Sequence, residues 1–232
     1  LPNKKLTLSE PASALAVAKT KIYLVDVPKA AQTEFRVGYG TGLKYTPTGD
    51  YYATYLMNYP LGGDFNSRLN MYLRETKGWT YGANSRYTGD KYSGDFVFSS
   101  GIRVASTDSA LVDLMSFIKD YNKTGPTPAE VAFMKTAIGQ RDALRYETGP
   151  QKAAFIARIL EYDLPAEYVN AQTKMLTSAT PEELKATAGK YLNPDKINIL
   201  LVGDKAKILP GLQKSGYDIV ELNTDGDPIA TN

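Results

Sequence analysis

The pattern of apolar and polar positions divides the chain into strands at both ends and helices between them. Lys21 to Val27 (KIYLVDV) is rich in β-branched and aromatic residues and stops at Pro28, which predicts a strand. In Glu34 to Tyr39 (EFRVGY), Phe35, Val37 and Tyr39 alternate with Glu34, Arg36 and Gly38, the pattern of a half-buried strand. The link between the two is short, so the pattern places them side by side or close together. Asp50 to Asn58 reads as a helix broken by Pro60 and Gly62-Gly63. Phe65 to Thr76 reads as a second helix, with Asp64 as its N-cap and Gly78 just past its end. Thr80 to Tyr87 and Tyr92 to Arg103 follow as strands, with Phe96, Phe98 and Ser100 sharing a face.

From about residue 106 to 192 the period changes to that of helices. Leu111, Leu114, Met115 and Ile118 recur at helical spacing. Thr127-Pro128-Ala129-Glu130 and Thr180-Pro181-Glu182-Glu183 are Thr-x-x-Glu capping boxes with Pro at the first helical position. About two further helices lie between them, separated near Pro165. Lys196 to Val202 returns to strand, Lys205 to Lys214 is a short helix, and Tyr217 to Leu222 is a last strand. Strands, then helices, then a β-α-β end predict an α+β fold of two layers. A largely antiparallel sheet would carry helices packed on one face. No linker divides the chain, so residues 1–232 read as a single domain, with 1–20 and 223–232 as peripheral or frayed ends.

Composition narrows the chemistry. The 232 residues contain no Cys and no His. That excludes a thiol nucleophile, an imidazole base and a Ser-His-Asp triad. A zinc site from this chain alone would have only oxygen ligands, which zinc seldom accepts. With 27 basic against 25 acidic side chains there is no basic excess to attract nucleic acid. Apolar runs such as Ile199 to Val202 are too short to span a bilayer. The start at Leu1-Pro2, without Met, reads as a trimmed soluble chain, a processed product or a piece of a longer protein.

Several motifs resolve into bland readings. Gly38-x-Gly40-x-Gly42 lacks the spacing and the following helix of a dinucleotide loop and reads as a strand end and turn. Ser116-x-x-Lys119 and Lys123-Thr124-Gly125 match penicillin-binding motifs but crowd one helix end, where the second should sit on a separate strand. Asp225 and Asp227 read as a solvated tail. Tyr51, Tyr52, Tyr55 and Tyr59 read as an amphipathic helix face with wet hydroxyl tips, a ligand surface being the alternative. No carboxylate pair stands out to support an independent hydrolase.

The informative stretch is Leu61 to Tyr87. Taken physically, a double glycine leads into a helix, Arg74 lies in its last turn, Gly78 reverses the chain and Tyr81 begins a strand. Arg74 there offsets the helix dipole, and Tyr81 is an ordinary strand residue. The ordered pattern Leu61-Gly62-Gly63, Ser67-Arg68-Leu69, Leu73-Arg74-Glu75, Gly78, Tyr81-Gly82 resembles the insulinase/pitrilysin family of zinc metallopeptidases. The likeness is to the half-domain that lacks the zinc motif. Ala31-Gln32 and Asn198-Ile199-Leu200-Leu201-Val202-Gly203-Asp204 extend it over roughly residues 20–204.

The resemblance implies a processing-peptidase-like half that closes, clamshell fashion, over a peptide against a second half bearing His-x-x-Glu-His. It implies that zinc sits on that partner half, in the same polypeptide or a separate subunit, and that this chain binds no cofactor. It implies catalytic roles for Arg74 and Tyr81, seven residues apart: Tyr81 as hydrogen-bond donor to the scissile carbonyl, Arg74 as a clamp on the peptide. The chain alone would be inactive. The family analogy favours a periplasmic location. The alternative is a non-catalytic scaffold or binding protein, because core proteins of respiratory complexes are similar to the same family.

Overall fold

The computed structural model describes residues 16–229. Six strands form one sheet: β1 (Lys21–Asp26), β2 (Gln32–Gly40), β3 (Thr80–Tyr87), β4 (Asp95–Arg103), β5 (Asn198–Gly203) and β6 (Asp218–Leu222). Their order is β3-β4-β2-β5-β1-β6. The pairs β3/β4, β4/β2 and β2/β5 are antiparallel, whereas β1 runs parallel to both β5 and β6. The expected α+β fold with a largely antiparallel sheet is therefore present.

Period-two alternation explains why one face is covered. Leu24, Leu201, Phe35, Ser100 and Ala83 stand in register across five strands, and all are buried. Ile22, Ile199, Val37, Phe98 and Ser85 form the next buried row. The row between them, Tyr23, Leu200, Arg36, Ser99 and Asn84, points to the other face and is half-buried or exposed. Each large apolar side chain fully buried on the first face contributes on the order of 2 kcal/mol.

Helices cover that face: α1 (Asp50–Asn58), α2 (Arg68–Asn70), α3 (Thr107–Thr124), α4 (Pro128–Ala143), α5 (Gly149–Tyr162), α6 (Tyr168–Ser178), α7 (Pro181–Tyr191) and α8 (Lys205–Leu212). Leu111, Leu114, Met115 and Ile118 of α3 are buried, as their spacing predicts. Both expected capping boxes form, and Thr148 with Gln151 makes a third at the start of α5.

Three expectations change. β1 and β2 are not neighbours, because β5 lies between them. The turn joining them is fastened to the end of β5: Val27 N–H donates to Gly203 O (2.8 Å) and Lys29 N–H to Asp204 Oδ2 (3.1 Å). The helix expected from Phe65 begins only at Arg68, after Ser67. Asp64 caps a turn instead, accepting from Asn66 N–H (2.9 Å) and Tyr59 OH (2.8 Å). Both α1 and α2 then widen into π-helical turns, Tyr59–Gly63 and Met71–Thr76.

At the ends, residues 1–15 and 230–232 lie outside the described residues. Thr20 is buried and bonded to Pro194 and Asp195. The segment after β6 turns back on it, with Ile229 N–H donating to Glu221 O (2.8 Å).

Candidate functional site

The segment singled out in the sequence folds as two helical turns and an edge strand, and most of it is scaffolding. Leu61, Leu69 and Leu73 are buried at 1% exposure or less. Gly62 lies against β3 so closely that a Cβ would fall 2.2 Å from Ser85 Oγ. Asn58 locks the same contact. It donates through Nδ2 to Ser85 O (2.7 Å) and accepts from Ser85 Oγ (2.7 Å). Arg68 reaches the other way and grips Glu130 of α4 with two parallel hydrogen bonds, one of 2.6 Å. Its guanidinium also lies over Tyr121 at 5.0 Å. Burial pushes the Glu130 carboxyl up, but hydrogen bonds from Arg68 and Thr127 outweigh it and hold the group below its ordinary value.

Arg74 sits in the wide turn Met71–Thr76. Its guanidinium lies over the Phe65 ring, 4.6 Å from the centroid, and its Nε is 3.5 Å from Glu75 Oε1. Arg74 O then accepts from Gly78 N–H (3.0 Å), and Gly78 takes φ 61°, a conformation glycine adopts without strain. That reversal delivers the chain to β3.

Tyr81 lies in a β-bulge. The pairing of β3 with β4 shifts register between Thr80 and Ala83, so Tyr81 and Gly82 both turn away from the covered face. The Tyr81 side chain is 90% exposed. Among the described residues its hydroxyl has no hydrogen-bond partner, whereas the backbone around it is tightly held. Gly82 N–H donates to Thr80 Oγ1 (3.0 Å), and Gly82 O accepts from both Thr80 Oγ1 and Ser100 Oγ (2.9 Å each). Ala83 N–H donates to Asn70 Oδ1 (2.9 Å), and Asn70 Nδ2 donates to Phe65 O (2.6 Å). Asn70 thus couples three pieces: the loop whose Phe65 supports Arg74, the helix leading to Arg74, and the bulge presenting Tyr81.

Sequence reasoning named Arg74 and Tyr81 but missed Asn70, Thr80 and Ser100. Nothing in local spacing marks Asn70. Its signal is only a polar side chain at a helical position flanked by buried Leu69 and Leu73. Phe65, Met71 and Tyr81 leave this surface with exposed apolar groups of 58%, 38% and 90% exposure. Such a surface offers a guanidinium, a free phenol and apolar contacts to an extended ligand.

The glycine, Ser-x-x-Lys and paired-Asp motifs fall where their bland readings put them, whereas the tyrosines do not all end in wet hydroxyl tips, since Tyr52 and Tyr59 are buried. Gly38 lies inside β2, where a Cβ would strike Phe96 O at 2.1 Å, and Gly42 turns with φ 69°. Ser116, Lys119, Lys123 and Thr124 lie on the single helix α3, with Gly125 beyond its end. Asn223 organises the backbone of Asp225 and Asp227, accepting from both N–H groups at 2.9 Å. Among the described residues no three acidic side chains gather as a metal site. With neither His nor Cys in the chain, its donors do not fit zinc. No helix of the described residues is long and apolar enough to cross a membrane.

A family profile described as peptidase M16 inactive domain matches residues 1–138. No curated protein matches the chain. Among solved structures, a peptidase M16 inactive domain from Pseudomonas fluorescens is 26% identical and superimposes with a TM-score of 0.73, over 85% of this chain and 46% of that one. A protease from Helicobacter pylori is 14% identical with a TM-score of 0.74, over 87% and 48%. A chain of complex III2 from Candida albicans is 15% identical with a TM-score of 0.65, over 88% and 49%. The last two show likeness of fold alone. The chain spans about half the length of these structures.

Proposed function

Since the chain belongs to the peptidase M16 inactive-domain family, we propose that it is the non-zinc half of a zinc metalloendopeptidase. In this reading it holds a peptide and presents Arg74 and Tyr81 to an active site on a second half bearing His-x-x-Glu-His. The observation that carries the reading is Tyr81. A phenol 90% exposed, on a bulge held by hydrogen bonds at Gly82 and Ala83, adds almost nothing to the core. A packing role does not account for it. A role toward something outside the chain does.

The chemistry follows from where charge develops. When a peptide carbonyl is attacked, its oxygen gains negative charge, and the Tyr81 hydroxyl donates a hydrogen bond there. A fixed donor facing that oxygen strengthens as the charge grows, which lowers the barrier. Arg74, its guanidinium over the Phe65 ring and beside Glu75, clamps the peptide backbone or a carboxylate near the scissile bond. The partner half supplies the Lewis acid and base of the reaction. Any zinc belongs there, because this chain's donors do not fit it.

The test is Tyr81→Phe in the enzyme assembled with its zinc-bearing half. Turnover is expected to fall about 100-fold or more, with peptide affinity and thermal stability nearly unchanged. An unchanged rate would leave the scaffold reading in its place.

A further inference from the structure

A second site lies on the helical side of the molecule, away from the open sheet face that carries Tyr81. The tyrosines of α1 form one wall of a hollow of about 320 Å³, closed by α4 and α5. Three guanidiniums line it: Arg141 from α4, Arg145 from the turn that follows α4, and Arg158 from α5. Arg145 has a carboxylate beside it, Asp142 Oδ1 at 3.9 Å. Among the described residues Arg141 and Arg158 have no carboxylate within ion-pair distance. Arg141 bonds the Tyr55 hydroxyl, and Arg158 lies over the Tyr45 ring at 5.6 Å. Glu161 also lines the hollow, so the wall carries three cations against two carboxylates. Lys91 adds a fourth positive charge at the rim, 5.8 Å from the Tyr162 ring.

The hollow also holds an unsatisfied donor. Tyr52 is 6% exposed, and its hydroxyl is buried without a hydrogen-bond partner. Burial, with Asp142 nearby, pushes this phenol up to about 12, so it stays protonated and able to donate. A buried hydroxyl left unpaired is a standing cost to the fold. Uncompensated guanidiniums gathered round one hollow repel each other. One oxyanion relieves both penalties. In the remaining wall Tyr45 and Tyr162 pack on each other, 4.3 Å between ring centres and tilted by 41°, and the outer side of such a pair can contact another ring.

We propose that this hollow binds a small organic anion, a carboxylate or phosphate carried on an aromatic ring. Arg141 and Arg158 would take the oxyanion and the tyrosines would take the ring. The proposal does not rest on any role for Arg74 or Tyr81.

Calorimetric titration of the chain with phenyl phosphate, benzoate and inorganic phosphate tests it. At least one aryl anion is expected to bind saturably, with a Kd of about 1 mM or tighter, and more tightly than inorganic phosphate. Preference for phenyl phosphate identifies a phosphate ester as the source, and preference for benzoate a carboxylate. Arg141→Gln and Arg158→Gln should each weaken binding about tenfold or more. Tyr52→Phe supplies the control for folding. It should leave the free protein as stable or more stable while weakening the anion. No saturable binding of any of the three anions below about 10 mM overturns the proposal. So does binding indifferent to both arginine changes, or inorganic phosphate bound as tightly as the aryl anions.

Discussion

Asn70 illustrates how one side chain determines where two others stand. It is 3% exposed, accepts from Ala83 N–H and donates to Phe65 O. Asn70→Ala would leave the buried Ala83 N–H unpaired and free the part-buried Phe65 carbonyl, a cost of about 2 kcal/mol. Urea unfolding should show that loss as a lower midpoint with an unchanged slope. Tyr81→Phe should show none, because the Tyr81 hydroxyl has no partner among the described residues. Contrasting the two separates the residue that holds the site from the one that faces out of it. Tyr81 stands out in the sequence through the family resemblance of its segment; spacing alone makes it an ordinary strand residue. Its exposure is not legible there, because regular strand alternation does not reveal a bulge that shifts two residues to the same face.

At the scale of elements, the junction between α2 and α4 is set by Arg68 and Glu130. Glu130 serves twice, closing the capping box with Thr127 and taking the Arg68 fork. Its folded value is lowered, so it stabilises the fold above its unfolded value of about 4.3 and loses that contribution as pH falls through the folded value. Stability measured by urea unfolding should therefore drop more steeply in the wild type than in Glu130→Gln between about pH 5 and 3. The capping boxes at Thr127 and Thr180 were legible because a cap is local, its partners three residues apart. The start of α2 was not. Asp64 offered the expected cap, but its carboxylate was taken by Asn66 N–H and the distant Tyr59 hydroxyl, and Ser67 became the boundary. The π-helical turns were equally hidden, since no period in the chain marks them; the first of them carries Gly62 packed closely on Ser85.

At the scale of the whole molecule, the sheet is covered on one side and open on the other, with β3 at its edge. In the proposed function this open side faces a second half. The isolated chain, with or without added zinc, should then cleave no peptide. Activity should appear when it is joined to a zinc-bearing half, and a chelator should abolish it. Peptide cleavage by the isolated chain would refute that division of labour. By itself the sequence determined the fold class, the covered face and the lack of zinc's usual His and Cys ligands in this chain. Those depend on period, capping and residue type, which are local or compositional. Only the tertiary structure decided that β5 separates β1 from β2, that Asn70 joins the bulge to the Arg74 turn, and that three arginines meet the α1 tyrosines in one hollow. Each of these brings together residues remote in the chain, with partners chosen by packing and hydrogen bonding across elements. No spacing along a single strand or helix encodes such a choice.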